Sequence, residues 1–421
     1  MEKILKSPLI VHYELTDNCN HDCTHCYNSF DHTVPLVPYT TMKAIVEEVI
    51  QNEVFHAVVT GGEPFKDRMG LQYVLEEFTK NNMRLSLNTN LAMVNEDDIQ
   101  MVRDNNVKSI LTSVISYSPE VHDEVTGVPG SLKRTLKNMG IFASLNYGIT
   151  ANMVVNKNRV NDVYKTGKLA IENGARGFCA TRMAPLDEKD IPLMLSGEDT
   201  ELMLEQLLLI EEDFGVQIGS LNPLPRCFSD NPRYHRFQKG SCSGGRVNAT
   251  IGQNGDLRAC PHQEESYGNI VKEGMSNIWQ KTPVLAEERV PTECGDCKEV
   301  KGCAGGCGET SRVVSGINSM DPLGRGVEHV QEIDQSLPEV NPNQRFSFRE
   351  DIIYRDEKSG GVFYRKPSEH IVLPNKGVQV VKDLSQITFN INEVVEVLGE
   401  GIVPLVKLLY KKNLLKKHME D

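Results

Sequence analysis

Short apolar runs alternate with amphipathic stretches from residue 9 to about residue 190, and this alternation constrains the fold more than any other feature of the chain. Residues 9–15, 55–60, 84–88, 109–116, 150–155 and 177–181 read as strands. Helical patterns lie between them, most clearly at 41–52 and 71–81. Parallel strands need a long crossover, and a helix is the usual one. Strand–helix alternation therefore predicts an α/β fold, a parallel sheet closed or partly closed by helices as a partial (β/α)6 barrel. In such barrels chemistry sits at the C-terminal ends of the strands.

A chain of 421 residues is long enough for two or three domains. No apolar run approaches the length of a membrane span, and the start Met1-Glu2-Lys3-Ile4-Leu5-Lys6 lacks a signal-peptide core, which points to the cytoplasm and away from a membrane. The net charge of −13 argues against nucleic acid as a partner. In a reducing compartment eleven cysteines are not expected to form disulfides, and their uneven grouping suggests metal or cluster ligation.

Cys19, Cys23 and Cys26 follow the first strand directly, at a functional strand end, in the run Cys-Asn-His-Asp-Cys-Thr-His-Cys. Three thiolates can hold a four-iron cluster and leave one iron open, as catalytic metal sites keep an open position. The same three are compatible with zinc plus a distant fourth ligand, or with unrelated core thiols. The second strand ends in Thr60-Gly61-Gly62-Glu63-Pro64, which alone would be an ordinary tight turn.

The Cys-x3-Cys-x2-Cys spacing, followed one βα unit later by Gly-Gly-Glu-Pro, resembles the radical S-adenosylmethionine (SAM) family, whose fold is a TIM-like partial barrel. The two motifs in order weaken the zinc reading. The resemblance implies a 4Fe-4S cluster on Cys19, Cys23 and Cys26 whose open iron binds and reduces SAM. It implies that Gly61, Gly62, Glu63 and Pro64 surround the SAM amino group. Weaker matches follow. Asn88 lies in Ser-Leu-Asn-Thr-Asn, where Leu91 replaces the family's glycine. Ser113 lies where the family has Ser-Leu-Asp-Gly, with Ile115 in place of Asp; it could reach the ribose or simply be a solvated strand end. Arg182 closes the sixth strand and could meet the SAM carboxylate or form a surface salt bridge.

Further on, Cys242, Gly255 and Cys260 give Cys-x12-Gly-x4-Cys, and Cys294, Cys297, Cys303 and Cys307 give Cys-x2-Cys-x5-Cys-x3-Cys. The pattern resembles the SPASM extension of peptide-modifying radical SAM enzymes, which carries one or two auxiliary iron–sulfur clusters. By that resemblance Cys242, Cys260 and Cys307 hold an inner cluster and Cys294, Cys297 and Cys303 an outer one. Cys227 would either complete the inner cluster or be a free loop thiol, and Cys179 reads as a buried core thiol. The family pattern ends with a cysteine in Asp-Pro-Leu-Cys, but this chain reads Asp321-Pro322-Leu323-Gly324. Asp321 could then ligate through oxygen, or the outer cluster is labile, incomplete or absent. Pro261 and His262 follow Cys260 where sulfatase-maturing relatives place an Asp, which weakens that alternative.

A polar stretch at 326–345 reads as a linker, and the texture changes after it. Strands at 346–354, 361–364 and 371–373, then helices at 377–384, 391–398 and 402–415, give a winged-helix order. The layout resembles the PqqD-like element that binds the leader of a precursor peptide; a winged-helix packing module is the alternative. DNA binding is a poorer alternative: the basic run Lys411-Lys412, Lys416-Lys417 is short and reads as solvating a helix end.

The expected parts are thus a barrel over 1–195, a helical linker over 196–226, the cluster extension over 227–325, a linker over 326–345 and a recognition domain over 346–421. The implied activity is a radical SAM oxidoreductase that abstracts hydrogen from a precursor peptide and forms a thioether or carbon–carbon cross-link. The implied partners are that peptide and an electron donor such as flavodoxin or ferredoxin. The alternatives are a radical SAM enzyme acting on a small molecule or folded protein, or a non-catalytic iron–sulfur or zinc protein.

Overall fold

The computed structural model describes residues 3–28, 34–332 and 336–418. Two compact units result, one of residues 8–333 and one combining 1–7 with 334–421. The boundary falls inside the stretch expected as a linker, of which 333–335 lie outside the described residues.

The larger unit is built on one sheet. Its strands are β1 (Ile10–Glu14), β2 (His56–Thr60), β3 (Arg84–Asn88), β4 (Ser109–Ser113), β5 (Gly148–Val155), β6 (Gly177–Arg182), β7 (Gln217–Gly219), β8 (Asn248–Ile251) and β9 (Leu257–Arg258). Their order is β7-β6-β5-β4-β3-β2-β1-β8-β9. All neighbours pair in parallel except β8 and β9, which form an antiparallel hairpin turning at Gly255. The six expected strands are present. The fourth is shorter than expected, because beyond Ser113 the amide of Ile115 donates to His122 Nδ1 at 3.2 Å instead of extending the ladder.

Helices α1 (Tyr39–Gln51), α2 (Arg68–Lys80), α3 (Glu96–Asp104), α4 (Pro119–Thr126), α5 (Ser131–Ser144) and α6 (Val163–Glu172) supply the crossovers. Each buries one stripe: in α1 the stripe is Met42, Ile45, Val46 and Val49, at helical spacing. A capping box of Asn95 and Asp98 starts α3 by satisfying its first free amides.

The 196–226 stretch departs from its reading as a linker. It holds α7 (Gly197–Phe214), opened by a Ser196–Asp199 capping box and closed by left-handed Gly215, and then β7, which pairs with β6. The stripe Met203, Leu204, Leu207 and Ile210 is fully buried in the main core, so this segment is part of the α/β body.

The smaller unit holds an antiparallel sheet of β10 (Phe346–Phe348) with β14 (Leu415–Lys417), and a second of β11 (Ile353–Glu357), β12 (Gly360–Lys366) and β13 (Glu369–Pro374). Helices over Asn375–Leu384, Ile391–Leu398 and Val403–Lys411 follow the second sheet. Two expectations are corrected here. The strand read over 346–354 is two strands in different sheets. Lys416 and Lys417 lie in β14 and not at a helix end: the helix stops before Asn413, whose φ is 55°, and buried Leu414 and Leu415 return the chain to Phe348. Arg355 is fully buried, paired with Glu357 at 2.8 Å, and it donates to the hydroxyl and carbonyl of Ser7.

Candidate functional site

The loop after β1 carries Cys19, Cys23 and Cys26 at the C-terminal rim of the sheet. Three neighbours fix its backbone. The amides of Gly62 and Glu63 donate to the carbonyls of Thr16 and Asn18, each at 2.7 Å. The amides of Asp22 and Thr24 donate to the end of α4, at Thr126 and Val125. From the β8–β9 hairpin, Gln253 donates to Asp17 at 2.5 Å and accepts from the Asp17 amide at 3.2 Å.

The three thiols stand close together. Burial, the largest cause, pushes Cys19 and Cys23 up to about 12, and it raises Cys26 as well. Cys26 adds to the upward shift of Cys19 and Cys23, and Cys19 adds to that of Cys23. Buried, mutually repelling thiolates are unfavourable alone and become favourable beside metal cations. The donor set therefore suits an iron–sulfur cluster.

The glycine turn packs against the cysteine loop. Gly61 has φ +129° and a Cβ there would overlap the Thr16 carbonyl, so its contact is with the cysteine loop itself. Glu63, expected beside the SAM amino group, is fully buried and offers no surface to a ligand. It accepts from Thr89 Oγ1 at 2.7 Å and from the amides of Asn90 and Phe65 at 2.8 and 3.2 Å, and burial lifts it to about 7. It ties the turn to the end of β3. Pro64, also buried, opens a short 3-10 turn after it. Asn88 and Ser113 end β3 and β4 on the same rim, half-buried and exposed respectively.

Arg182 is also reassigned. It is buried, and both Nη atoms bond Asp321: Nη1 reaches Oδ1 at 2.8 Å, and Nη2 pairs with Oδ2. Asp321 also accepts from the amides of Cys307 and Leu323, at 2.9 and 3.1 Å. That carboxylate is fully engaged, which removes it as an oxygen ligand for a cluster.

The auxiliary cysteines separate into two groups. Cys242, Cys260 and Cys307 line one cavity of about 300 Å3, together with His12, His262 and Glu309. Cys294, Cys297 and Cys303 line a second, much tighter hollow of about 10 Å3. Cys227 lies in this second group, close enough to raise the Cys294 and Cys303 thiols, and does not line the first cavity. Its expected place in the inner cluster is corrected accordingly. Cys179 is a half-buried thiol that lines neither space.

Among the described residues no three His, Cys, Asp or Glu side chains converge tightly enough to hold a single metal ion. The thiols ring hollow spaces instead. The first cavity has room for a cluster; the second has room for about one water, so seating a cluster there requires its thiols to spread.

Sequence spacing did not reveal what joins the rim to the inner cavity. Tyr27, next to Cys26, is half-buried with its ring 4.7 Å from that of His262, and His262 Nδ1 is 3.9 Å from Cys260 Sγ. Glu14, buried at the end of β1, pairs with Arg258 of β9 and accepts from Asn28 at 2.7 Å. The parallel pairing of β1 with β8 makes these contacts possible, bringing residues over 200 positions apart onto neighbouring strands.

Comparison with known proteins agrees with this geometry. Residues 13–170 match the model of the radical SAM superfamily, and residues 242–304 match SPASM, an iron–sulfur cluster-binding domain. The chain is 25% identical over 326 residues to an AdoMet-dependent heme synthase of Methanosarcina barkeri, covering 72% of this chain and 93% of that protein. It is 25% identical over 334 residues to the mycofactocin maturase MftC of Mycobacterium tuberculosis, covering 73% and 80%. In structure it resembles SuiB of Streptococcus suis bound to the precursor peptide SuiA, with TM-score 0.62 and 16% identity over 76% of each chain.

Proposed function

We propose that this chain, a radical SAM domain joined to a SPASM domain, is a peptide maturase. The observation that carries the reading is the placement of Cys242, Cys260 and Cys307 around a cavity next to the Cys19–Cys23–Cys26 rim. Relatives that include the maturase MftC, a subtilosin biosynthesis protein and a PqqA peptide cyclase support it.

Cys19, Cys23 and Cys26 would hold the SAM-binding 4Fe-4S cluster, and Cys242, Cys260 and Cys307 an auxiliary cluster. Together with SAM these groups supply a 5′-deoxyadenosyl radical that abstracts hydrogen from a peptide residue, and a site for the electron left over. The chain's own residues position these parts. Gly62 and Glu63 fix the cysteine loop by their amides, and the Glu14–Arg258 pair holds that loop to the hairpin leading into Cys260. Three thiols on the inner cavity wall leave one coordination place for a substrate thiolate or for a neighbour such as His262 or Glu309. The apolar walls contributed by Pro223, Phe237 and Leu285 limit water at a reactive centre.

In this reading the domains are the barrel through β7, the cluster extension over 227–325 and a PqqD-like leader-binding element over 346–421. The β11–β12–β13 sheet supports the last, because an extended leader can add to an edge strand. The exposed side chains of Val397 and Leu398 offer apolar contacts on one helix of that unit. A flavodoxin or ferredoxin would supply the electron. The reducing cytoplasm suits eleven cysteines, all free of disulfides, and no helix among the described residues is long and apolar enough to cross a membrane.

The test is incubation of anaerobically reconstituted enzyme with SAM, a reductant and synthetic peptides from any short open reading frames found beside its gene. Mass spectrometry should find 5′-deoxyadenosine and a peptide lighter by the hydrogens lost in a cross-link. SAM cleavage with every such peptide unbound and unchanged would overturn the peptide reading and favour a small-molecule substrate, the reading that likeness to a heme synthase supports.

A further inference from the structure

We infer that Cys227 is the fourth thiolate of the outer cluster, standing in for the cysteine that this chain lacks at position 324. The inference rests on the iron–sulfur reading of the auxiliary cysteines given above.

Three observations converge. Cys227, Cys294, Cys297 and Cys303 line the same hollow, and three of the four are buried, at 5%, 6% and 7% exposure for Cys227, Cys294 and Cys303. Backbone contacts hold the 226–227 segment in place: the Arg226 amide donates to Cys303 Sγ at 3.3 Å, and Arg325 Nε donates to the Cys227 carbonyl at 3.0 Å.

Second, the place of the missing cysteine is filled. A Cβ added at Gly324 would lie within 2.6 Å of Met320 Cγ and overlap its sulfur, and Met320 itself lines the hollow. A cysteine at 324 and Met320 in its present position exclude each other.

Third, the other donor in that turn is spent. Asp321 is fully buried and accepts from Arg182 and from the amides of Cys307 and Leu323. Among the described residues that line the hollow, no thiol or carboxylate besides the four cysteines remains. Four thiolates close a site completely, which is the pattern of an electron-transfer or structural cluster; the three-thiol inner site is the one left open.

The test measures iron and acid-labile sulfide per chain in full-length protein reconstituted with iron and sulfide under anaerobic conditions. Three four-iron clusters give about twelve irons, and losing one gives about eight. C227A and C294A should each fall to about eight, and C227A/C294A should fall no further, because both strip one cluster. C227A/C242A should fall to about four. C227S serves as the conservative variant if C227A is poorly folded, with far-UV circular dichroism as the check. Full iron in both C227A and C227S would overturn the inference, and so would C227A/C242A holding as much iron as C242A alone. The variants should keep the SAM-induced change in the electron paramagnetic resonance of the first cluster. If wild-type protein lacks that change, it is the radical SAM reading that has failed, and the iron counts still decide the role of Cys227.

Discussion

The Arg182–Asp321 pair joins the end of β6 to the turn that positions Cys307, across 139 residues of sequence. Both side chains are out of water, at 4% and 0% exposure. Asp321→Asn replaces a carboxylate that accepts from four donor groups with an amide that has one acceptor oxygen, and it leaves the Arg182 guanidinium without a counter-charge. At an effective dielectric constant near 20, two unit charges about 4 Å apart attract by about 4 kcal/mol. Breaking a buried pair from one side costs about 3–5 kcal/mol, which agrees. The predicted loss for D321N is therefore about 3–5 kcal/mol, with a similar loss for R182M. R182M/D321N should cost clearly less than the two losses added, because the second change removes the charge stranded by the first. Urea unfolding of the anaerobic protein measures all three, and iron content reports whether Cys307 keeps its ligand position. A D321N cost within about 1 kcal/mol of wild type, or strict additivity in the double variant, would refute the reasoning.

Other perturbations test separate parts. Gly61→Ala forces a side chain onto a φ of +129° and into the Thr16 carbonyl; it should cost about 1–3 kcal/mol and lower iron retention at the first cluster, read by iron assay. His122 is buried, and burial lowers its imidazole from 6.5 to about 4. Its stabilising contribution is thus complete above pH 6.5 and is lost as pH falls toward 4, by about 3 kcal/mol at the limit, in urea titrations at stepped pH. His122→Asn keeps an acceptor for the Ile115 amide and should remove that share of the dependence, leaving the part due to His12, His21, His25 and His56, which burial also lowers; an unchanged pH profile would contradict the assignment. Arg355→Met strands buried Glu357 and should loosen the smaller unit by about 3–5 kcal/mol, seen as faster limited proteolysis within 340–418 and unchanged cleavage elsewhere.

The parallel sheet was legible because short strand-like runs recur between amphipathic helical stretches, and the alternating Arg84–Asn88 matches its expected bounds in full. The resemblance separated Cys242, Cys260 and Cys307 from Cys294, Cys297 and Cys303, and the two sets line different hollows; it did not place Cys227. The errors arose where local pattern is silent about distance in space. The stretch 346–354 alternates as one strand, yet its two halves pair with partners 71 and 11 residues away, Phe346 with Lys417 and Ile353 with Tyr364. Cys227 precedes Cys242 in sequence, so proximity suggested the inner group; the fold carries it to Cys303. Glu63 and Arg182 were read as ligand contacts because they end strands at the rim. Their burial and their partners, Thr89 and Asp321, come from other strands and loops, and no spacing rule reports that.

The account depends above all on a redox-active, substrate-accessible iron at the loop of Cys19, Cys23 and Cys26. The direct measurement is the electron paramagnetic resonance of the reduced, anaerobic protein before and after adding SAM, alongside a variant with those three cysteines changed to alanine. A signal that shifts on SAM addition and disappears in the triple variant is the predicted result. A spectrum indifferent to SAM, or one that survives the loss of all three thiols, would contradict it.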